Sequence, residues 1–142
     1  MDTSTVYIRK CAKADEIQKA WKPREWDLYQ STVDGEVRLW AVLPGSIADS
    51  GVYGRIYIDR GFWGKSKPKV VNDAENAIWL PRQYQLQEMI DKRNTRELLM
   101  RFADWVEKET NCRRESMEQL WMAFVMHECY NKSWNGIDWV KA

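Results

Sequence analysis

The sequence predicts a small α+β protein: an antiparallel sheet from the N-terminal half packed against about three C-terminal helices, with a short N-terminal helix. Three observations carry that prediction. Asp34-Gly35 separates two β-prone segments, and Asp-Gly in that setting is the strongest short-range hairpin signal. Apolar residues recur at helical spacing through Leu86 to Ile90 and through Leu98 to Val106. Leu120 to Met126 is apolar without a break, which on a helix means enclosure on every side.

Taken in order, Val6-Tyr7-Ile8 is a short β-prone start. From Ala12 to Trp21, Ala14, Ile17 and Trp21 fall at helical spacing and predict a short amphipathic helix. Pro23 ends it by pushing Lys22 out of helical geometry. Leu28 to Val33 and Glu36 to Val42 form the two arms of the hairpin. Pro44-Gly45 and Ser50-Gly51 bracket a loop. In Val52 to Asp59, Gly54, Ile56 and Ile58 alternate with Tyr53, Arg55 and Tyr57, the pattern of a third strand with one apolar face. Gly61 to Ala77 is polar, interrupted by Pro68, with only Val70-Val71 resembling a strand, and is expected to be a long surface loop or irregular ribbon.

Pro81 suits the first turn of a helix bearing Leu86, Met89 and Ile90. Thr95 is placed to cap the next, whose face is Leu98, Phe102, Trp105 and Val106. Ser116 with Gln119 is a capping-box pattern opening the apolar helix, which belongs at the centre of the core. Asn135-Gly136 makes a tight turn between Trp134 and Trp139, an aromatic hairpin-like tail.

The chain of 142 residues has the usual size of one domain, and residues 1–142 are expected to form one. Its 22 basic residues balance 21 acidic ones, so net charge implies no partner. The aromatic content is unusual: nine Trp run from Trp21 to Trp139. A core this small cannot enclose nine indoles whose N–H groups each want an acceptor, so some are expected at the surface, where Trp either marks an interface or plugs the edge of a small core. Cys11, Cys112 and Cys129 are widely spaced, which fits reduced thiols rather than a secreted disulfide framework. With no signal-peptide pattern at the N-terminus and no apolar run of membrane-spanning length, a soluble protein of the bacterial cytoplasm is expected.

Several motifs fail on inspection. Gly61-Phe62-Trp63-Gly64-Lys65-Ser66 resembles a phosphate loop, but the spacing puts Asp59 where the first glycine belongs. No helix pattern follows to supply an N-terminus for the phosphate. His127 and Cys129 are adjacent to Glu128, yet residues two apart on a helix point to nearly opposite sides and cannot share an ion. His127 is the one histidine, expected as a packed residue with its nitrogens satisfied by neighbours. Cys11 and Cys129 read as small apolar residues. No catalytic residue, cofactor site or metal ligand can be assigned. In Arg55 to Lys69, Arg55, Arg60, Lys65, Lys67 and Lys69 interleave with Tyr57, Phe62 and Trp63. Cations and flat rings together are the ingredients of a single-strand nucleic-acid platform, and equally of a solvated loop that keeps a sheet edge from pairing.

Four segments, taken together, resemble a family of small uncharacterised proteins encoded by phages and prophages of Gram-positive bacteria. They are Tyr7-Ile8 with Cys11, Ala14, Glu16-Ile17-Gln18, Trp21 and Pro23; Trp79-Leu80-Pro81-Arg82-Gln83 with Gln85 to Met89; Ser116 to Trp121 with Ala123 to Met126; and Trp134-Asn135-Gly136 with Trp139. The resemblance implies an origin and no activity. The chain departs from the family pattern after the first helix, where Gly-Asp is replaced by Trp26-Asp27. Trp tolerates the positive φ of a turn glycine poorly.

These readings lead to a non-enzymatic phage or prophage accessory protein that binds a protein partner through exposed aromatic residues. A nucleic-acid-binding module using Arg55 to Lys69 is the alternative, and a small enzyme with a site around His127 is the third.

Overall fold

The structure, a computed structural model, describes residues 1–39, 55–56, 70–71, 76–90, 94–109 and 115–142. They form an α+β fold of five helices and short antiparallel strands. The chain gathers into two compact units, Met1–Ala20 with Pro81–Ala142, and Trp21–Leu80.

In the first unit, α1 (Thr5–Ala12) and α2 (Asp15–Ala20) precede α3 (Gln83–Ile90), α4 (Thr95–Lys108) and α5 (Met117–Tyr130). α5 is the core helix that its sequence predicts: Leu120, Trp121, Met122, Phe124, Val125 and Met126 are all buried. It packs on α3, α4 and α1. Phe102 of α4 stacks on Trp121 at 3.9 Å between ring centroids and meets Phe124 edge-on at 5.4 Å. Offset and edge-to-face pairs of this kind add to what burial alone contributes.

The β-prone start Val6-Tyr7-Ile8 is corrected to helix. Ser4 caps α1, its Oγ accepting the Tyr7 N–H at 3.2 Å, and Tyr7 and Cys11, four apart on one face of α1, are fully buried, as are Ala14 after it and Ile17 of α2. Burial at spacings of three and four outweighs the weak strand preference of three residues that find no partner strand. Tyr7 is fixed further by its hydroxyl, which donates to the Pro81 carbonyl at 2.5 Å. Lys10, 1 % exposed, turns into the same unit and pairs with Glu115 at 2.5 Å.

Two caps also differ from expectation. α4 is capped by Asn94, whose side chain accepts the Glu97 N–H at 3.2 Å, so Thr95 is its first helical residue. Ser116 caps α5 as predicted, accepting the Gln119 N–H at 3.2 Å. The Gln119 side chain does not complete the box, however. Its Nε2 donates to Asp2 at 2.6 Å instead. α3 carries the half-box that was missed: the Gln85 side-chain oxygen accepts the Arg82 N–H at 2.8 Å, which is why a Gln is buried there.

α5 ends at Asn131 in the left-handed region, φ 52°. β6 (Lys132–Trp134) and β7 (Trp139–Lys141) follow as the predicted hairpin, with Asn135 Oδ1 accepting the N–H groups of Ile137 and Asp138. The Trp139 indole donates to the Lys10 carbonyl at 2.9 Å. That carbonyl lies in the last turn of α1, where helical acceptors lack intrahelical donors.

In the second unit, β1 (Leu28–Ser31), β2 (Val37–Leu39), β3 (Arg55–Ile56), β4 (Val70–Val71) and β5 (Ala77–Trp79) make two antiparallel sheets. The hairpin β1–β2 pairs Tyr29 with Arg38. Its loop is wider than a two-residue turn: Ser31 N–H bonds to Glu36 O and Gly35 N–H to Ser31 O, both at 2.9 Å. Gly35 supplies the positive φ of 75° that the return requires. The third strand of this sheet is β5, with Tyr29 opposite Trp79. The strand expected over Val52 to Asp59 is represented by β3, which pairs with β4 in a separate sheet.

Candidate functional site

The basic and aromatic segment is where sequence and structure meet least. Arg55 lies in β3, while Tyr57, Arg60, Phe62, Trp63, Lys65, Lys67 and Lys69 lie outside the described residues, as do the phosphate-loop-like Gly61 to Ser66 and Cys112.

His127 is not the packed residue with both nitrogens satisfied that the sequence leads one to expect. It is half-buried on α5 with its ring centroid 6.1 Å from that of Trp105. Its Nδ1 sits 3.4 Å from Glu128 Oε1 without hydrogen-bond alignment. Glu128 is held by Arg101. This gives an imidazole beside a carboxylate, while the adjacent thiol, Cys129, lies two residues on, toward another side of the helix. Partial burial also raises the Cys129 thiol above its ordinary pKa, against the opposing pull of Arg101. Cys11 is fully buried, and desolvation pushes its thiol far up, so neither described cysteine is an activated thiolate. Among the described residues no group of three or more His, Cys, Asp or Glu could hold a metal ion. No helix of the described residues is long and apolar enough to cross a membrane. A shallow groove of about 480 Å³ is lined by Met1, Arg82, Gln83, Tyr84, Gln87 and Glu118, with neither histidine nor cysteine among them.

The seven described tryptophans sort clearly, Trp40 and Trp63 lying outside the described residues. Trp79, Trp121 and Trp139 are buried, Trp21, Trp105 and Trp134 half-buried, and Trp26 is 52 % exposed. The residue beside Trp26 is a buried carboxylate. Asp27, 3 % exposed, accepts the Trp21 indole N–H at 2.8 Å and the Arg24 backbone N–H at 2.9 Å through one oxygen. Its own N–H donates to the Arg24 carbonyl at 3.1 Å, closing a four-residue turn over Arg24 to Asp27.

Within that turn Trp26 has φ 70°, while Glu25 has no positive φ. A positive φ at the third residue alone is the pattern of a type II turn, a position that glycine normally fills. Here a tryptophan fills that position. A left-handed L-residue costs about 1–2 kcal/mol. The anchors offset that cost: Trp21 stacks on Trp79 of β5 at 5.9 Å with planes 5° apart, so the turn is braced against the sheet it precedes. Lys22, Pro23, Arg24 and Glu25, which precede Trp26 in the chain, are exposed as well. Sequence reasoning flagged the tryptophan excess and the position of Trp26, but not the Asp27 bracket, which needs Trp21, Arg24 and Asp27 folded onto one another.

No protein-family model matches this chain, and no curated protein or solved structure matches it.

Proposed function

We propose that this chain is a non-enzymatic phage or prophage accessory protein that binds a protein partner, with Trp26 as the anchor residue. The observation that carries this reading is a half-exposed tryptophan held in a left-handed turn by a buried aspartate. Backbone strain persists where surrounding structure over-determines it, and such strain clusters at binding sites. A rigid indole loses little conformational entropy on docking, and tryptophan is the residue most enriched among binding hot spots. The mixed charges of Lys22, Arg24 and Glu25 suit the polar rim of such an interface. The phage origin rests on the resemblance of the four segments quoted above.

The test compares wild type with Trp26→Gly as bait in bacterial extract, with bound proteins quantified by mass spectrometry. A partner retained by wild type and lost by the variant is the expected result. Equal recovery by both baits would sink the role of Trp26. Titration with labelled single- and double-stranded DNA at two salt concentrations covers the alternative. Tight binding that weakens steeply with salt, and survives Trp26→Gly, would move the reading to Arg55 to Lys69.

A further inference from the structure

The outer face of α4 is apolar and self-complementary. Leu98 and Phe102 turn inward and are buried, whereas Leu99 is 48 % and Met100 59 % exposed. Ala103 is also exposed and Val106 half-buried. At roughly 100° per residue, Leu99, Met100, Ala103 and Val106 share one face with Arg96 and Glu107. These two opposite charges, both exposed, stand at the two ends of the stripe, about three turns and roughly 16 Å apart.

Such a face fits a second copy of itself in one orientation. With two α4 helices antiparallel and the twofold axis passing between Arg101 and Phe102, Arg96 meets the partner's Glu107 and Glu107 meets the partner's Arg96. Met100 then lies over the partner's Ala103, where a single methyl allows close approach. Leu99 falls between the partner's Ala103 and the partner's Val106. Parallel pairing would set like charges against each other at both ends. An isologous contact of this kind closes on itself at two copies.

We propose that the protein self-associates as a symmetric antiparallel dimer through this face of α4. The site is on a different unit from Trp26, so its failure and the failure of partner binding are separately visible.

Sedimentation velocity from roughly 1 to 200 μM, a range suited to a single-helix interface of modest size, tests it. Wild type should shift from monomer to dimer with concentration, and Met100→Lys should remain monomeric. Arg96→Glu alone and Glu107→Arg alone should each weaken the dimer about tenfold, since the symmetry doubles every change. The double variant Arg96→Glu/Glu107→Arg should recover most of that loss. All three positions changed are on the surface of α4, and unchanged helical circular dichroism keeps the comparison clear of misfolding. A wild-type monomer throughout, a dimer that persists in Met100→Lys, species larger than a dimer, or no recovery in the double variant would each overturn the proposal.

Discussion

The Ser116 hydroxyl donates to the Asp2 carboxylate at 2.5 Å across 114 positions of sequence. The same carboxylate accepts Gln119 Nε2 at 2.6 Å and the Ser4 backbone N–H at 2.8 Å. Ser4 and Ser116 are the N-caps of α1 and α5, so one negative charge sits at the positive ends of two helices, where it is stabilising.

Asp2 accordingly makes stability depend on pH. Burial raises its pKa, but hydrogen bonds from Ser116, Gln119 and Ser4 outweigh burial and hold it at about 2. In the unfolded chain an aspartate titrates near 3.9. A depressed folded-state pKa contributes stability that is complete above about pH 4 and is lost as the pH falls toward about 2. Asp2→Asn should cost about 1 kcal/mol at neutral pH and nothing at the acid end. Urea melts of both proteins at several pH values check this. A difference that stays constant with pH would mean that the charge is not what matters.

Trp26 should be more stable as glycine than as alanine. Both changes remove the indole, but only glycine relieves the left-handed φ of 70°. Trp26→Gly is expected to exceed Trp26→Ala by about 1 kcal/mol in denaturant melts. Equal melts would show that the turn relaxes once the ring is gone.

Buried Lys10 and its partly exposed partner Glu115 should respond asymmetrically. Glu115→Ala leaves the Lys10 ammonium, 1 % exposed, without its carboxylate, at a cost of about 3 kcal/mol. Lys10→Met removes the charge with its desolvation and keeps the volume, so it should cost well under half as much, about 1 kcal/mol. Thermal or urea unfolding of the two variants reads the order directly, and the reverse order would refute the argument.

Phe124→Ala should cost about 3–5 kcal/mol. It empties the centre of a ring cluster in which Phe124 touches Phe102, Trp105 and Trp121 at 5.4, 5.5 and 5.8 Å. Ile137→Ala, at a side chain 74 % exposed, should stay within about 0.5 kcal/mol. Near-equal urea midpoints for the two would place the α5 surface in solvent.

Several features were written locally enough for the sequence alone to determine them. Uninterrupted apolarity from Leu120 to Met126 makes a buried helix, Ser116 caps it, and Asp34-Gly35 and Asn135-Gly136 reverse the chain. Each is a matter of neighbours a few residues apart, so each is visible in a short window. The excess of tryptophan likewise points to surface aromatic residues, and Trp26-Asp27 to an unusual turn, without naming Trp26 as a site. Tertiary structure decided the remainder. Val6-Tyr7-Ile8 is helical because Tyr7 and Cys11 are buried and Tyr7 bonds to Pro81. The hairpin gains β5 as its third strand because Trp79 pairs opposite Tyr29. Gln119 leaves its own capping box for Asp2. Trp26 occupies a glycine conformation because Asp27 binds Trp21 and Arg24 together. In the first three of these the deciding energy comes from groups outside the element's own local sequence pattern, and a local preference of a few tenths of a kcal/mol yields to burial or a buried hydrogen bond worth about one or more.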